Sequence, residues 1–161
     1  NIMVQQIVMA NFNIGGQLIN YDQWDGYPPA RQKLMDELHD EQIPNVLVLS
    51  GDIHIGGIVT LHANAGDFAS PVVGVEIVSP SLTSNSRELS ETAPILEFGL
   101  RAQENVHYVN ASKRGYVVVD ISPEETNVRF RMVDTVEEET SPIETAGEYT
   151  ILAETLDIIE N

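Results

Sequence analysis

The residues with the most chemical promise lie in Val46-Leu47-Val48-Leu49-Ser50-Gly51-Asp52-Ile53-His54. A continuous apolar run ends at a glycine, and a carboxylate and an imidazole follow, two positions apart. In α/β sheets, ligand sites lie beyond the carboxyl ends of strands, and in extended backbone positions i and i+2 point the same way. Asp52 and His54 then aim into one site, a hard oxygen donor beside a nitrogen donor, which suits a metal ion. Gly51 is expected to take the sharp turn and to let a ligand approach the backbone. A plainer reading makes Asp52 a turn cap and His54 a satisfied, partly buried side chain, and the spacing alone leaves both open.

Three further stretches concentrate reactive side chains: Tyr21-Asp22-Gln23-Trp24-Asp25-Gly26-Tyr27-Pro28; Gly74-Val75-Glu76-Ile77-Val78-Ser79-Pro80-Ser81-Leu82-Thr83-Ser84; and Asn105-Val106-His107-Tyr108 with Lys113-Arg114-Gly115-Tyr116. Asp25 reads as a turn residue bonding its own loop before it reads as a site carboxylate. Trp24 is a cleft wall or a core residue. Arg31 reads as a surface ion pair on a helix flank rather than a phosphate ligand. His107 is a proton donor or a support for a metal ligand, or else structural. Arg114 either binds phosphate or ties a loop down through carbonyls. Glu76, on an apolar strand, must be paired or ligating, because an unpaired buried charge is costly. His39 and His62 read as surface positions with no role.

The elements that must hold these groups follow from pattern. Residues 2–10 read as a strand, 11–29 as a loop, and 30–42 as a helix that starts after Pro28-Pro29 with Ala30, Leu34 and Leu38 on one face. Asn45–Ser50 fits a strand buried on both sides, Ile53–Ala63 resumes a strand-like pattern, and Val72–Ser79 is a third apolar strand. Residues 80–90 read as loop and Arg87–Gln103 as a helix that Pro94 should break. Tyr116–Ile121 and Asn127–Val133, joined by Ser122–Thr126, read as a hairpin with Val128, Phe130 and Met132 facing inward, and Tyr149–Ala153 as a last strand. The result is a mixed α/β domain with strands dominating its second half.

Composition removes several functions. Of 161 residues, 42% are hydrophobic and 20% charged, enough for a core and too ordered in type for a disordered chain. A net charge of −17 repels phosphate polymers and anionic membranes, so no nucleic-acid partner is expected. No stretch is long and apolar enough for a membrane span. The chain has no Cys, which excludes disulfides, thiolate nucleophiles and Cys–metal bonds within it. It begins at Asn1 and enters an apolar run at once, which reads as a cut through a larger fold or a processed chain. The run Glu137-Glu138-Glu139 reads as a solvated loop, with surface calcium binding as the sharper alternative.

Taken in order, the four stretches resemble the C-terminal half of the catalytic domain of the alkaline phosphatase D (PhoD-like) metallophosphoesterases. The matching patterns are D-x-W-D-G-Y-P-x-x-R, V-V-x-L-S-G-D-x-H, G-V-E-F-V-x-P-S-x-T-S and N-P-H…R-G-Y; Val106 stands where the family usually has Pro. The resemblance covers residues 1–136 and leaves 137–161 as an acidic C-terminal extension. It implies an α/β fold, part of a four-layer αββα sandwich, and hydrolysis of phosphomonoesters or phosphodiesters by a metal-bound hydroxide. It also implies a ferric ion with calcium ions, His54 ligating iron and Asp52 calcium; His107 and Arg114, on the residue readings above, are the catalytic candidates. The family's Asp-x-x-Tyr, Asn and Cys ligands lie upstream in the missing N-terminal half, which becomes the expected partner, together with the phosphate-ester substrate. Secretion to the periplasm or exterior is implied by the same likeness. The competing expectation is a non-catalytic segment that keeps the fold without a complete metal site.

Overall fold

The computed structural model describes residues 1–14, 17–18, 20–84 and 87–161, with only the backbone of 13–14, 17–18 and 87–90. Parts of the two predicted loops, at 15–16, 19 and 85–86, lie outside the described residues.

Strands β1 (Ile2–Val4), β4 (Leu47–Ser50), β5 (Gly56–His62), β6 (Val72–Val78) and β7 (Val106–Asn110) form a five-stranded sheet in the order β1-β4-β6-β5-β7. Between β1 and β4 the chain makes a short ribbon, β2 (Asn13–Ile14) with β3 (Gln17–Leu18), a 3-10 turn at Trp24–Gly26, and helix α1 (Pro28–Asp40). β1, β4 and β6 run parallel, so their carboxyl ends share one edge of the sheet. β5 returns antiparallel from that edge, and its first residue, Gly56, pairs with Asn110 at the end of β7. The second sheet contains β8 (Arg114–Ile121), β9 (Glu125–Val133), β10 (Ile143–Leu152) and β11 (Ile158–Glu160), all antiparallel, in the order β11-β10-β9-β8.

Binary pattern decides how the layers stack. β4, β5 and β6 are buried on both faces, as continuous apolar runs require. One face meets α1 through Met35 and Leu38, which pack with Val46, Val48, Val59 and Leu61. The other meets the second sheet: Ile58, Val75 and Ile77 pack against Val128, Phe130, Met132, Tyr149 and Ile151. Helix α2 (Arg87–Arg101) closes the flank, with Ala93 and Leu100 against Val109 and Ala111. The described residues thus supply helix, sheet and sheet, three layers of the expected sandwich. β9 alternates inward Thr126, Val128, Phe130 and Met132 with half-buried neighbours, the expected hairpin face.

Several expected elements change at their edges. The run 2–10 is a strand only to Val4, because the amides of Val8, Met9 and Ala10 bond side chains, Gln23 and Glu76, instead of a neighbouring strand. α1 begins two residues earlier, at Pro28, and buries Arg31, Met35 and Leu38, so its inner face is rotated from Ala30–Leu34–Leu38. Pro94 does not break α2, although it lies inside the helix; it sits on the exposed face. The segment Val106–Asn110, which carries the Asn-Val-His-Tyr motif, is a strand. Residues 137–161 include β10 and β11, half of the second sheet; the strand expected at Tyr149–Ala153 runs over Ile143–Leu152, and β11 follows it as the last strand. Glu137–Glu139 themselves are exposed.

Candidate metal centre

At the carboxyl end of β4 the chain leaves the sheet through Gly51, and the next residues adopt an unusual backbone. Asp52 has φ 73° and His54 φ 60°. Non-glycine residues at positive φ are uncommon, and two within three positions are maintained only when their surroundings enforce them. The turn strain therefore falls on the two side chains with ligand chemistry. Gly51 is not the strained position: a Cβ there would meet the Ser79 carbonyl oxygen at an ordinary 3.6 Å. Because the stretch is not extended, the alternation that would aim Asp52 and His54 the same way does not operate here.

Asp52 is exposed and His54 half-buried. The Gln23 side chain donates from Nε2 to Asp52 Oδ2 at 2.7 Å, while its Oε1 accepts from Val8 N at 2.6 Å. Gln23 is 3% exposed, so this carboxamide is a buried brace between the segment after β1 and the turn after β4. In the sequence Gln23 is only one letter of the Tyr21–Pro28 motif. Its signal was its position between two aspartates and a tryptophan, where a buried amide must find both a donor and an acceptor.

A second brace lies below. Glu76, on β6, is fully buried and gathers four hydrogen bonds: Met9 N at 2.9 and 3.2 Å, Ala10 N at 2.6 Å and Ser50 Oγ at 2.5 Å. Burial raises its carboxyl above the ordinary 4.5, against the pull of Ser50, Met9, Ala10 and the more distant Arg31. Glu76 is therefore a network residue, joining β4, β6 and the 8–10 segment.

Asp25 and Arg31 form a buried ion pair, Arg31 Nη1 to Asp25 Oδ1 at 2.5 Å with side chains 3% and 5% exposed. The surface pair expected at Arg31 is thus a pair, but an interior one, because Arg31 shares the inward face of α1. Asp25 also accepts from Phe12 N at 3.2 Å and Asn11 Nδ2 at 3.0 Å, so its carboxylate holds the 11–12 segment and α1 rather than the backbone of its own turn. The glycine of Trp-Asp-Gly-Tyr is sterically required: a Cβ at Gly26 would stand 1.9 Å from the Tyr21 carbonyl oxygen. Trp24 is half-buried beside the core under α1 and donates Nε1 to Gln5 Oε1 at 2.8 Å.

Arg114 also sits at this end of the sheet, since Gly115 N bonds Ser81 O and Ser79 N bonds Ser50 O. It is 4% exposed and donates to carbonyls, Ser84 O at 2.6 Å, Lys113 O at 3.2 Å and Ala111 O at 3.3 Å. That geometry anchors the Ser81–Ser84 loop to the β7–β8 turn. His107 lies elsewhere. It lines, with His62, Thr60 and Glu104, a separate cavity of about 620 Å³, toward the end of the sheet where β5 finishes and β6 starts. Burial, and to a lesser degree His62, pushes its imidazole below the usual 6.5. His62 is half-buried and engaged at both nitrogens, with Ser70 O at 2.8 Å and Thr60 Oγ1 at 3.2 Å, so it is not a free surface residue. His39 is exposed.

Among the described residues no three side chains of His, Asp or Glu form a metal-holding group. The donor chemistry on this turn suits a metal ion: Asp52 offers a hard oxygen steadied through one carboxylate arm, and His54 an imidazole with no hydrogen-bond partner among the described residues. No helix among the described residues is long and apolar enough to cross a membrane.

A helix-covered sheet stacked on a second sheet, with a donor-bearing turn at the carboxyl end of a parallel strand, defines a layered α/β sandwich protein. The chain belongs to the PhoD-like phosphatase family, whose model matches residues 1–130. It is 28% identical over 152 residues to alkaline phosphatase D of Bacillus subtilis (strain 168), a match that spans 92% of this chain and 26% of that protein. A solved structure described as PhoD superposes with a TM-score of 0.84 at 25% identity, covering 99% of this chain and 31% of the other. The chain therefore spans under a third of the length of these relatives. The structural match also runs on through the acidic C-terminal strands, which the sequence motifs did not reach.

Proposed function

We propose that this chain serves the hydrolysis of phosphate esters as one part of a larger PhoD-like phosphatase, with Asp52 and His54 as two ligands of its metal centre. The observation that carries the reading is the paired left-handed backbone at Asp52 and His54, directly beyond β4, with Asp52 braced by Gln23. Family membership and the likeness to alkaline phosphatase D support the reaction class. Bound metal ions would neutralise phosphoryl oxygens and lower the pKa of water; by family likeness the ions are ferric iron and calcium. Asp52 offers the hard donor, His54 the nitrogen donor, and Arg114 holds the neighbouring Ser81–Ser84 loop in place through its carbonyl bonds. His107 remains a proton-donor candidate only if the complementary half carries substrate toward its cavity. Cations at the site would draw in a phosphate that the −17 chain otherwise repels. The likeness to alkaline phosphatase D also supports placing the protein outside the cytoplasm.

A second reading has one observation in its favour: the described residues hold no three-ligand group, so without its complement this chain is a structural half and not a catalyst. Elemental analysis together with hydrolysis of a chromogenic phosphate ester separates the two. With the complementary half present, Asp52→Ala and His54→Ala should lower both metal content and turnover by more than the roughly 10–100-fold that supporting residues cost, while the protein still folds. Unchanged turnover in His54→Ala removes His54 from the site.

A further inference from the structure

We propose that Gln23 is a positioning residue for Asp52, fixing which carboxylate oxygen is left for a cation; this rests on the metal-centre reading above. The carboxamide has only one arrangement that satisfies both ends. Its Oε1 accepts the Val8 amide at 2.6 Å, which leaves Nε2, a donor, to face Asp52 Oδ2 at 2.7 Å. A donor on Oδ2 leaves Oδ1, which has no hydrogen bond among the described residues, as the oxygen for a metal. The amide cannot swing away, because Gln23 is buried and the backbone it leans on is fixed twice. Trp24 N bonds Val8 O at 3.1 Å, and Glu76 holds the next two amides, Met9 and Ala10. Glu76 also takes the hydroxyl of Ser50, two residues before Asp52. Both ends of the brace therefore trace to one buried carboxylate. The arrangement also has a reason to exist: Asp52 sits at φ 73°, a conformation that neighbours must impose, and the Gln23 bond is the one side-chain contact seen on its carboxylate among the described residues.

Residues that orient a metal ligand typically change metal affinity or activity by about 10–100-fold when removed. In the protein carrying its complementary half, Gln23→Met, similar in volume but without donor or acceptor, should weaken metal retention against a chelator by that factor. kcat/KM should fall in step and recover when the growth metals, iron and calcium, are supplied in excess. In an Asp52→Ala background the same change should have no further effect on metal retention, since the residue acts through Asp52. Thermal midpoints of the metal-free proteins report folding separately. If Gln23→Met does not fold, Gln23→Asn, which withdraws the amide by one methylene, carries the same expectation. Full metal retention in Gln23→Met beside loss in Asp52→Ala overturns the positioning role and leaves the site standing. An equal further loss of metal in the Asp52→Ala background also overturns it, because Gln23 then acts by another route. Full retention in Asp52→Ala itself overturns the site, and this role with it.

Discussion

The carboxyl edge of the first sheet and the body of the second sheet are built on different principles. The edge is held by side chains reaching across to backbone and to one another: Glu76 to the amides of Met9 and Ala10 and the hydroxyl of Ser50, Gln23 to the Val8 amide and the Asp52 carboxylate, Asp25 to the Phe12 amide and the Arg31 guanidinium, Arg114 to three carbonyls. The second sheet is held by its ladders and by an alternating apolar face, with Val128, Phe130 and Met132 fully buried. Apolar packing is non-directional and tolerates adjustment, whereas a buried polar network fails when one member is lost. The region that must place donor atoms in a fixed geometry uses the directional kind of contact.

Perturbing each side in turn sharpens the contrast. The largest stability loss is expected in the second sheet: Phe130→Ala should cost about 3–5 kcal/mol in urea unfolding, yet the folded fraction should retain its metal. Next comes Arg31→Met, which strands the Asp25 carboxylate and should cost about 3 kcal/mol, whereas Asp25→Leu combined with Arg31→Met should cost less than the single change. Equal costs would mean that the pair is worth no more than its packing. Third is Glu76→Gln, which gives the Met9 and Ala10 amides an NH2 in place of one acceptor oxygen and should cost about 1–3 kcal/mol. It should also change the pH dependence. Because burial raises the folded pKa of Glu76 above 4.5, the folded chain holds that proton more tightly than the unfolded one. The group's contribution is complete below that value and declines as pH rises through the folded pKa. A pH series of unfolding curves should lose this slope in Glu76→Gln. The smallest effect belongs to the wet face of the second sheet, where Arg129 and Asp120 pair at 2.6 Å with side chains 42% and 61% exposed. Asp120→Ala should change stability by less than about 1 kcal/mol.

The same division decides what could be read from sequence. The inward alternation of β9, the doubly buried β4 and β6 and the helix behind Pro28-Pro29 follow from periodicity and composition, which act locally. The braces do not. That Met9 and Ala10 leave the ladder depends on Glu76, 67 and 66 positions away, and Val8 follows Gln23, 15 positions away; no local pattern carries those distances. A buried Glu76 announced that it needed partners without naming them. Arg31 was legible as half of an ion pair, but its depth depended on how α1 rotates over the sheet. The left-handed turn at Asp52 and His54 was hidden by the glycine before them, which offered a simpler place for the bend. Gly115 is the counterpart in the second sheet: a Cβ there would stand 2.0 Å from the Arg131 carbonyl oxygen, and the close pairing that makes the glycine obligatory appears only once β8 lies on β9.

The turn after β4 also sets selection for robustness against selection for chemistry. Left-handed backbone costs an ordinary L-residue about 1–2 kcal/mol and glycine far less. His54→Gly should therefore recover part of that cost while discarding the imidazole. A library sorted for heat resistance would drift toward glycine at position 54, and one sorted for turnover would hold histidine there.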